Sequence, residues 1–152
     1  MSPDFSAISR LVLENHNLPA KEVASKVIEE YPNLSYIDHG LERIVFIVEN
    51  SSYNDVVLKI ARNERGIEAN KQEYKNWNQL KNTKYSEWLC PVDLEKSKKK
   101  YIFMDKVQMS AGNYEPVMDN LIEIISAAEI SSHNVGYHRD YGDVLIDYTY
   151  KI

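Results

Sequence analysis

Val56-Val57-Leu58-Lys59-Ile60-Ala61 decides the reading of this 152-residue chain. Five of its six side chains are apolar and three are β-branched, which fits a buried strand. Lys59 is the exception. An ammonium taken out of water without a partner is costly. Lys59 therefore either faces solvent on the strand's polar side or meets an anion.

The flanking sequence frames that choice. Upstream, residues 35–39 and 43–49 read as two more strands around Gly40, and Ile44 to Val48 is almost all β-branched or aromatic. Residues 50–55 are turn chemistry. Three strands with short joins predict an antiparallel meander. Downstream, residues 64–81 read as a helix with Ile67, Tyr74, Trp77 and Leu80 near one face. Residues 89–94 and 101–107 read as strands joined across Lys98-Lys99-Lys100, a solvated turn. Residues 109–113 look like a linker. Pro116 then opens an apolar helix reaching Ala128, wide enough in its apolar face to predict burial on two sides. Residues 134–137 and 143–148 form a hairpin pattern across 138–142.

Residues 1–31 carry two helical patterns. Ser2 is the expected cap of the first, with Pro3 behind it and Phe5, Ile8 and Val12 on one face. Asn17 is the expected cap of the second, with Pro19 in its first turn and Val23, Ala24, Val27, Ile28 and Tyr31 as its stripe. The pair is either an independent hairpin or a cover on the next unit. The division expected is a helical pair over 1–33 and one domain over 34–152.

Composition excludes several classes. The net charge is −5, which disfavours a general nucleic-acid binder. No apolar run is long enough for a membrane helix, and the first residues lack a secretory pattern. A cytoplasmic setting is expected. Cys90 is the one cysteine, so neither an internal disulfide nor a Cys-rich zinc site is available. His16, His39, His133 and His138 make no i, i+4 pair, so zinc is not expected. Eleven tyrosines predict a lean, Tyr-assisted core or an interaction surface.

Four spaced motifs, taken in order, resemble the protein-kinase-like superfamily, and in particular its short microbial and viral members. Val57-Leu58-Lys59-Ile60 resembles the V-A-I-K strand. Glu73 lies fourteen residues on, as the helix-C glutamate would. Residues 101–105, ending in Met104-Asp105, resemble the strand leading to the hinge. Asn134-Val135-Gly136-Tyr137 followed by Val144-Leu145-Ile146-Asp147-Tyr148 resembles the catalytic-loop asparagine and the D-F-G aspartate. The resemblance covers about residues 34–150. It implies an α+β fold: a kinase N-lobe-like five-stranded antiparallel sheet with helix C, two N-terminal helices, and a truncated C-lobe of one helix plus a β-hairpin.

The same resemblance implies roles. Lys59 would hold phosphates and pair with Glu73. Asn134 and Asp147 would be ligands of Mg²⁺, Gly40 would sit in the phosphate-covering turn, and Met104 and Asp105 would lie at the adenine. ATP and Mg²⁺ are the implied cofactors. The departures are equally specific. The catalytic aspartate's position holds Glu129, whose extra methylene displaces the carboxylate. Gly40 alone remains of the glycine-rich loop, and Thr149 replaces the glycine after Asp147-Tyr148. With the sequence ending at Ile152, no activation segment or substrate lobe is expected. His138-Arg139-Asp140 spells H-R-D, but no asparagine follows five residues on, so it reads as a hairpin turn.

The expectation is a pseudokinase-type protein that binds ATP–Mg²⁺ and acts mainly through another protein, with neither a membrane nor nucleic acid as partner. The alternatives are an active small kinase using Glu129 as base, and a nucleotide-independent inhibitor of viral type on the same scaffold. A further alternative is an α+β fold in which the spellings are coincidental. The place of Lys59 relative to Glu73 and Asp147 is the observation that tests the resemblance: an ammonium in bulk water, remote from both acids, would leave only coincidental spelling.

Overall fold

The computed structural model describes residues 3–109 and 112–152. The expected cap Ser2 and part of the 109–113 linker lie outside the described residues.

Helix α1 (Phe5–Glu14) is capped by Asp4, whose carboxylate accepts from the Ala7 amide at 3.1 Å. Phe5, Ile8 and Val12 are buried, as the three- and four-residue spacing requires. Helix α2 (Ala20–Glu30) starts at Pro19 rather than at a side-chain cap from Asn17. Proline's fixed φ makes it a natural entry to a helix. Val23, Ala24 and Val27 form its buried stripe.

Strands β1 (Leu34–His39), β2 (Arg43–Val48) and β3 (Val56–Ala61) form the expected meander. They continue into β5 (Tyr101–Asp105) and β4 (Val92–Lys98), so the sheet order is β1-β2-β3-β5-β4, antiparallel throughout. Ile37 is bulged out of the β1–β2 ladder and is exposed. Residues 89–91 do not extend β4, because the chain there pairs elsewhere. Leu89 bridges Leu145, and the Cys90 amide donates to the Leu145 carbonyl at 2.9 Å. Lys98, Lys99 and Lys100 are exposed, with the turn at Lys99-Lys100.

Side chains alternate across a strand. Ile44 and Phe46 of β2 and Leu58 and Ile60 of β3 therefore share one face, where α1 and α2 cover them in a common core. The N-terminal helices are thus a cover. Arg43, Val45, Lys59 and Ala61 share the other face. The register pairs Val45 with Lys59 and Arg43 with Ala61.

Helix α3 (Glu64–Leu80) packs on that second face, capped by the Asn63 side chain accepting from the Gly66 amide at 3.0 Å. Its buried stripe is Gly66, Ile67, Ala69, Asn70, Glu73 and Asn76. This differs from the apolar face read from sequence: Tyr74, Trp77 and Leu80 are only half-buried. The helix turns its polar side inward because ionic partners wait there.

A second core lies beyond β5. It joins Leu89, Cys90, Val92 and Met104 to α4 (Tyr114–Leu121) and to the hairpin of β6 (Val135–His138) and β7 (Gly142–Leu145). Helix α4 is shorter than the apolar pattern suggested and is not buried on two sides. Val117 and Leu121 are buried within it, and Ile122 is half exposed. The chain turns after Leu121, which lets Ile125 and Ile130 reach the same core. The molecule is α+β: a five-stranded antiparallel sheet with α3 on one face and the N-terminal helical cover on the other, one further helix and a β-hairpin. No helix among the described residues is long and apolar enough to cross a membrane.

Candidate functional site

Lys59 enters the site from the middle of β3, on the face shared with α3. Its ammonium is buried and donates to Glu73 Oε1 at 2.9 Å and to the Ile146 carbonyl at 2.6 Å. The solvent-facing alternative is therefore excluded. Glu73 stands at the centre of α3's buried stripe and is fully buried. Its carboxylate also accepts from the Tyr148 amide at 2.9 Å, which ties α3 to the chain after β7.

Arg43 completes the cluster. Its guanidinium donates to Glu73 Oε1 at 2.8 Å and Oε2 at 3.4 Å, to Asn70 Oδ1 at 3.2 Å, and to Asp147 Oδ1 at 3.1 Å. Burial alone would raise the Glu73 pKa. The neighbouring Arg43 and Lys59 charges, the Arg43 hydrogen bonds and the Tyr148 amide overcome it and bring it down to about 2. Burial pulls the Arg43 pKa down, but Glu73, Asp147 and Glu42 outweigh it and the net direction is upward. Both groups are firmly ionised, as a buried pair must be.

Asp147 follows β7 on the hairpin's outgoing chain, its side chain 41% exposed. Asn134, just before β6, accepts on its carbonyl from the Ile146 amide at 2.8 Å, and its side-chain amide donates to the Glu129 carbonyl at 3.1 Å. A cleft of about 440 Å³ runs between the β1–β2 turn and the hairpin. Lys59, Arg43, Gly40, Asn134, Asp147 and Thr149 all line it, with Asp38 and Glu42 adding acidic groups and His39 and His133 imidazoles. Gly40 lies there, but a Cβ on it would meet nothing within 4 Å.

Five of the eight residues singled out from sequence thus converge: Gly40, Lys59, Asn134 and Asp147 line the cleft and Glu73 lies directly behind it. Three stand elsewhere. Glu129 is outside the lining, and burial first, then the neighbouring Glu129 carboxylate, push the Tyr150 pKa up. Met104 is buried in the second core. Asp105 accepts from or pairs with His138 Nε2 at 2.9 Å and opens on a separate cavity of about 370 Å³, which shares no residue with the cleft. Above β6, Val107 sits so close that a Cβ on Gly136 would lie 2.4 Å from its Cγ2.

Arg43, Asn70, Asn76 and Tyr148 were not anticipated. Asn76 donates to the Tyr148 and Tyr150 carbonyls at 2.7 and 2.6 Å and holds the chain after Asp147 against α3. Tyr148 is buried, its hydroxyl donating to the Cys90 carbonyl at 2.6 Å. A signal for Arg43 does exist. If Gly40 is the middle glycine of G-x-G-x-x-G-x-V, Arg43 takes the third glycine's position and Val45 the valine's.

The residues can be tested against the implied group. Lys59 spends two of its three ammonium hydrogens on protein, so one is left for an anion in the cleft. For the metal, Asp147 and Asn134 offer hard oxygens, but Arg43 already stands on Asp147. A divalent ion there would be pressed against a guanidinium. The phosphate end fits; the metal does not fit with Arg43 in this position.

The streptomycin–ATP–APH(2")-IIa ternary complex is a solved structure similar to this chain, with a TM-score of 0.40 and 17% identity. The match covers 74% of this chain and 35% of that one, so this chain spans about a third of that protein's length. No protein-family model matches the chain, and no curated protein matches it. Streptomycin and ATP are ligands of that protein.

Proposed function

We propose that this chain is a pseudokinase-type module: its cleft takes the phosphate end of a nucleotide at Lys59 and does not transfer the phosphoryl group. The observation that supports it most is the Lys59 ammonium, fixed between Glu73 and the Ile146 carbonyl with one donor left toward the cleft. A preorganised cation of this kind needs no rearrangement to meet an oxyanion. Against transfer, the Glu129 carboxylate lies outside the cleft lining. The module's output would then be binding, with another protein as partner.

Thermal unfolding with ATP tests the reading. A one-site ligand at 100 times its Kd adds about 2.7 kcal/mol of stability. The wild type should gain this and Lys59→Ala should not, while labelled ATP stays intact. Equal gains in both proteins, or none in either, would overturn the reading. Turnover lost in Glu129→Gln would instead establish the small active kinase.

One observation favours a second reading, the nucleotide-independent interaction protein. Among the described residues, every buried side-chain nitrogen and oxygen already has a partner within the protein. The buried side chains behind the cleft need no ligand to complete their bonding, as a scaffold would have it. Partner binding unchanged in a Lys59→Ala/Asp147→Ala double variant would support it.

A further inference from the structure

Arg43 holds a position that a metal-dependent phosphate site would keep open. It is buried, it rises from β2 through the floor of the cleft, and it spans two acids that are 74 positions apart in sequence, Glu73 of α3 and Asp147 after β7. Four of its hydrogen bonds are spent, on Glu73 twice, on Asn70 and on Asp147. The planar guanidinium is always charged and well suited to bridging carboxylates.

The usual task of a divalent ion beside bound phosphates is to neutralise their charge while held by protein carboxylates. Arg43 already supplies a positive charge to that carboxylate. It does so from a buried position, held from below by Glu73 and Asn70, so it is not a loose surface side chain that swings aside at no cost. Any Mg²⁺ reaching Asp147 must displace it or sit against it, and like charges at that distance repel.

We propose that Arg43 is the built-in counter-ion of this cleft: it takes the place of the divalent cation at Asp147, so phosphate-bearing anions bind here without metal and the metal itself is excluded. This rests on the phosphate-binding reading for its ligand, but the exclusion of metal at Asp147 is a property of Arg43 alone and is measured without nucleotide.

The measurement is Mn²⁺ binding, followed by electron paramagnetic resonance, on the full chain. Wild type should hold no Mn²⁺ at this site. Arg43→Gln should gain a site, and adding Asp147→Asn should remove it. Arg43→Lys keeps a charge and should stay like wild type. ATP is then titrated in EDTA and in Mg²⁺. Wild type should bind equally in both, whereas Arg43→Gln should show a Mg²⁺ preference of about tenfold, within the usual range of coupling between two ligands. The inference is overturned if wild type binds Mn²⁺ in a manner lost with Asp147→Asn, or if a folded Arg43→Gln gains no Mn²⁺. If the Arg43→Gln chain does not fold, the wild-type ATP titration decides: a Mg²⁺ requirement overturns the inference, and equal binding supports it. Mn²⁺ results as expected together with no ATP binding would leave Arg43's role standing and remove the nucleotide reading alone.

Discussion

The Arg43 guanidinium lies 3.1 Å from the Asp147 carboxylate, across 104 positions of sequence. That contact closes a chain of charge running Asp147–Arg43–Glu73–Lys59. It joins β2, β3, α3 and the segment after β7. Three of the four groups are buried, so each depends on the others for its counter-charge. The same network that shapes the cleft therefore holds the sheet, helix and hairpin together.

Acid should loosen this network in a defined window. The Glu73 pKa is lowered from 4.5 to about 2. A carboxyl depressed on folding adds stability that is complete above its unfolded value and fades as pH falls toward its folded value. The shift corresponds to about 3 kcal/mol. Urea unfolding should show this loss between pH 4.5 and 2, and Glu73→Gln should flatten that part of the profile.

Removing the shared acid at neutral pH should cost more than removing a surface charge. Glu73→Gln leaves Lys59 without a counter-charge and Arg43 with Asp147 alone, and breaking a buried pair in this way costs about 3–5 kcal/mol. Exposed pairs such as Lys84–Glu123 are the contrast, worth about 0–1 kcal/mol. Denaturant midpoints of Glu73→Gln and Glu123→Gln should differ accordingly.

Gly66→Ala should destabilise, although alanine in a helix interior normally gains about 1 kcal/mol over glycine. A Cβ there would lie 2.1 Å from the Glu42 carbonyl oxygen and 2.9 Å from the Ala61 Cα, both backbone atoms. Overpacking of this sort costs about 1–3 kcal/mol. Because it pushes α3 away from β3, thermal unfolding should shift downward and any ATP binding should weaken with it.

Asn76→Ala should release the chain that follows Asp147. It leaves the Tyr148 and Tyr150 carbonyls without their shared donor, at a cost of about 1–3 kcal/mol. Hydrogen exchange should speed up at the Tyr148 amide, which is bonded to Glu73, ahead of amides in β2.

Much of this architecture is legible in the sequence because period-two alternation is a strong signal. Val56–Ala61 with the two strands before it predicts the meander, and the hairpin across 138–142 follows from its turn residues, whereas the surroundings of Lys59 stay open until α3 is placed over β3. The site was only partly legible. Glu73 is implied by the resemblance, whereas Arg43 at the start of β2 looks like any solvated strand-end cation until α3 is seen above it. The buried face of α3 escaped for a related reason: hydrophobic periodicity weights Tyr74, Trp77 and Leu80, while burial follows Asn70, Glu73 and Asn76. Adenine contacts at Met104 and Asp105 are implied by the resemblance, yet packing places one in the second core and the other at His138.

The most direct test of the phosphate-binding cleft is an amide chemical-shift map of the full chain titrated with ATP. Shifts should gather at Gly40, Arg43, Lys59, Asp147 and Thr149 and vanish in Lys59→Ala. No shifts, or shifts confined to Asp105, Gln108 and His138 around the other cavity, would contradict the account.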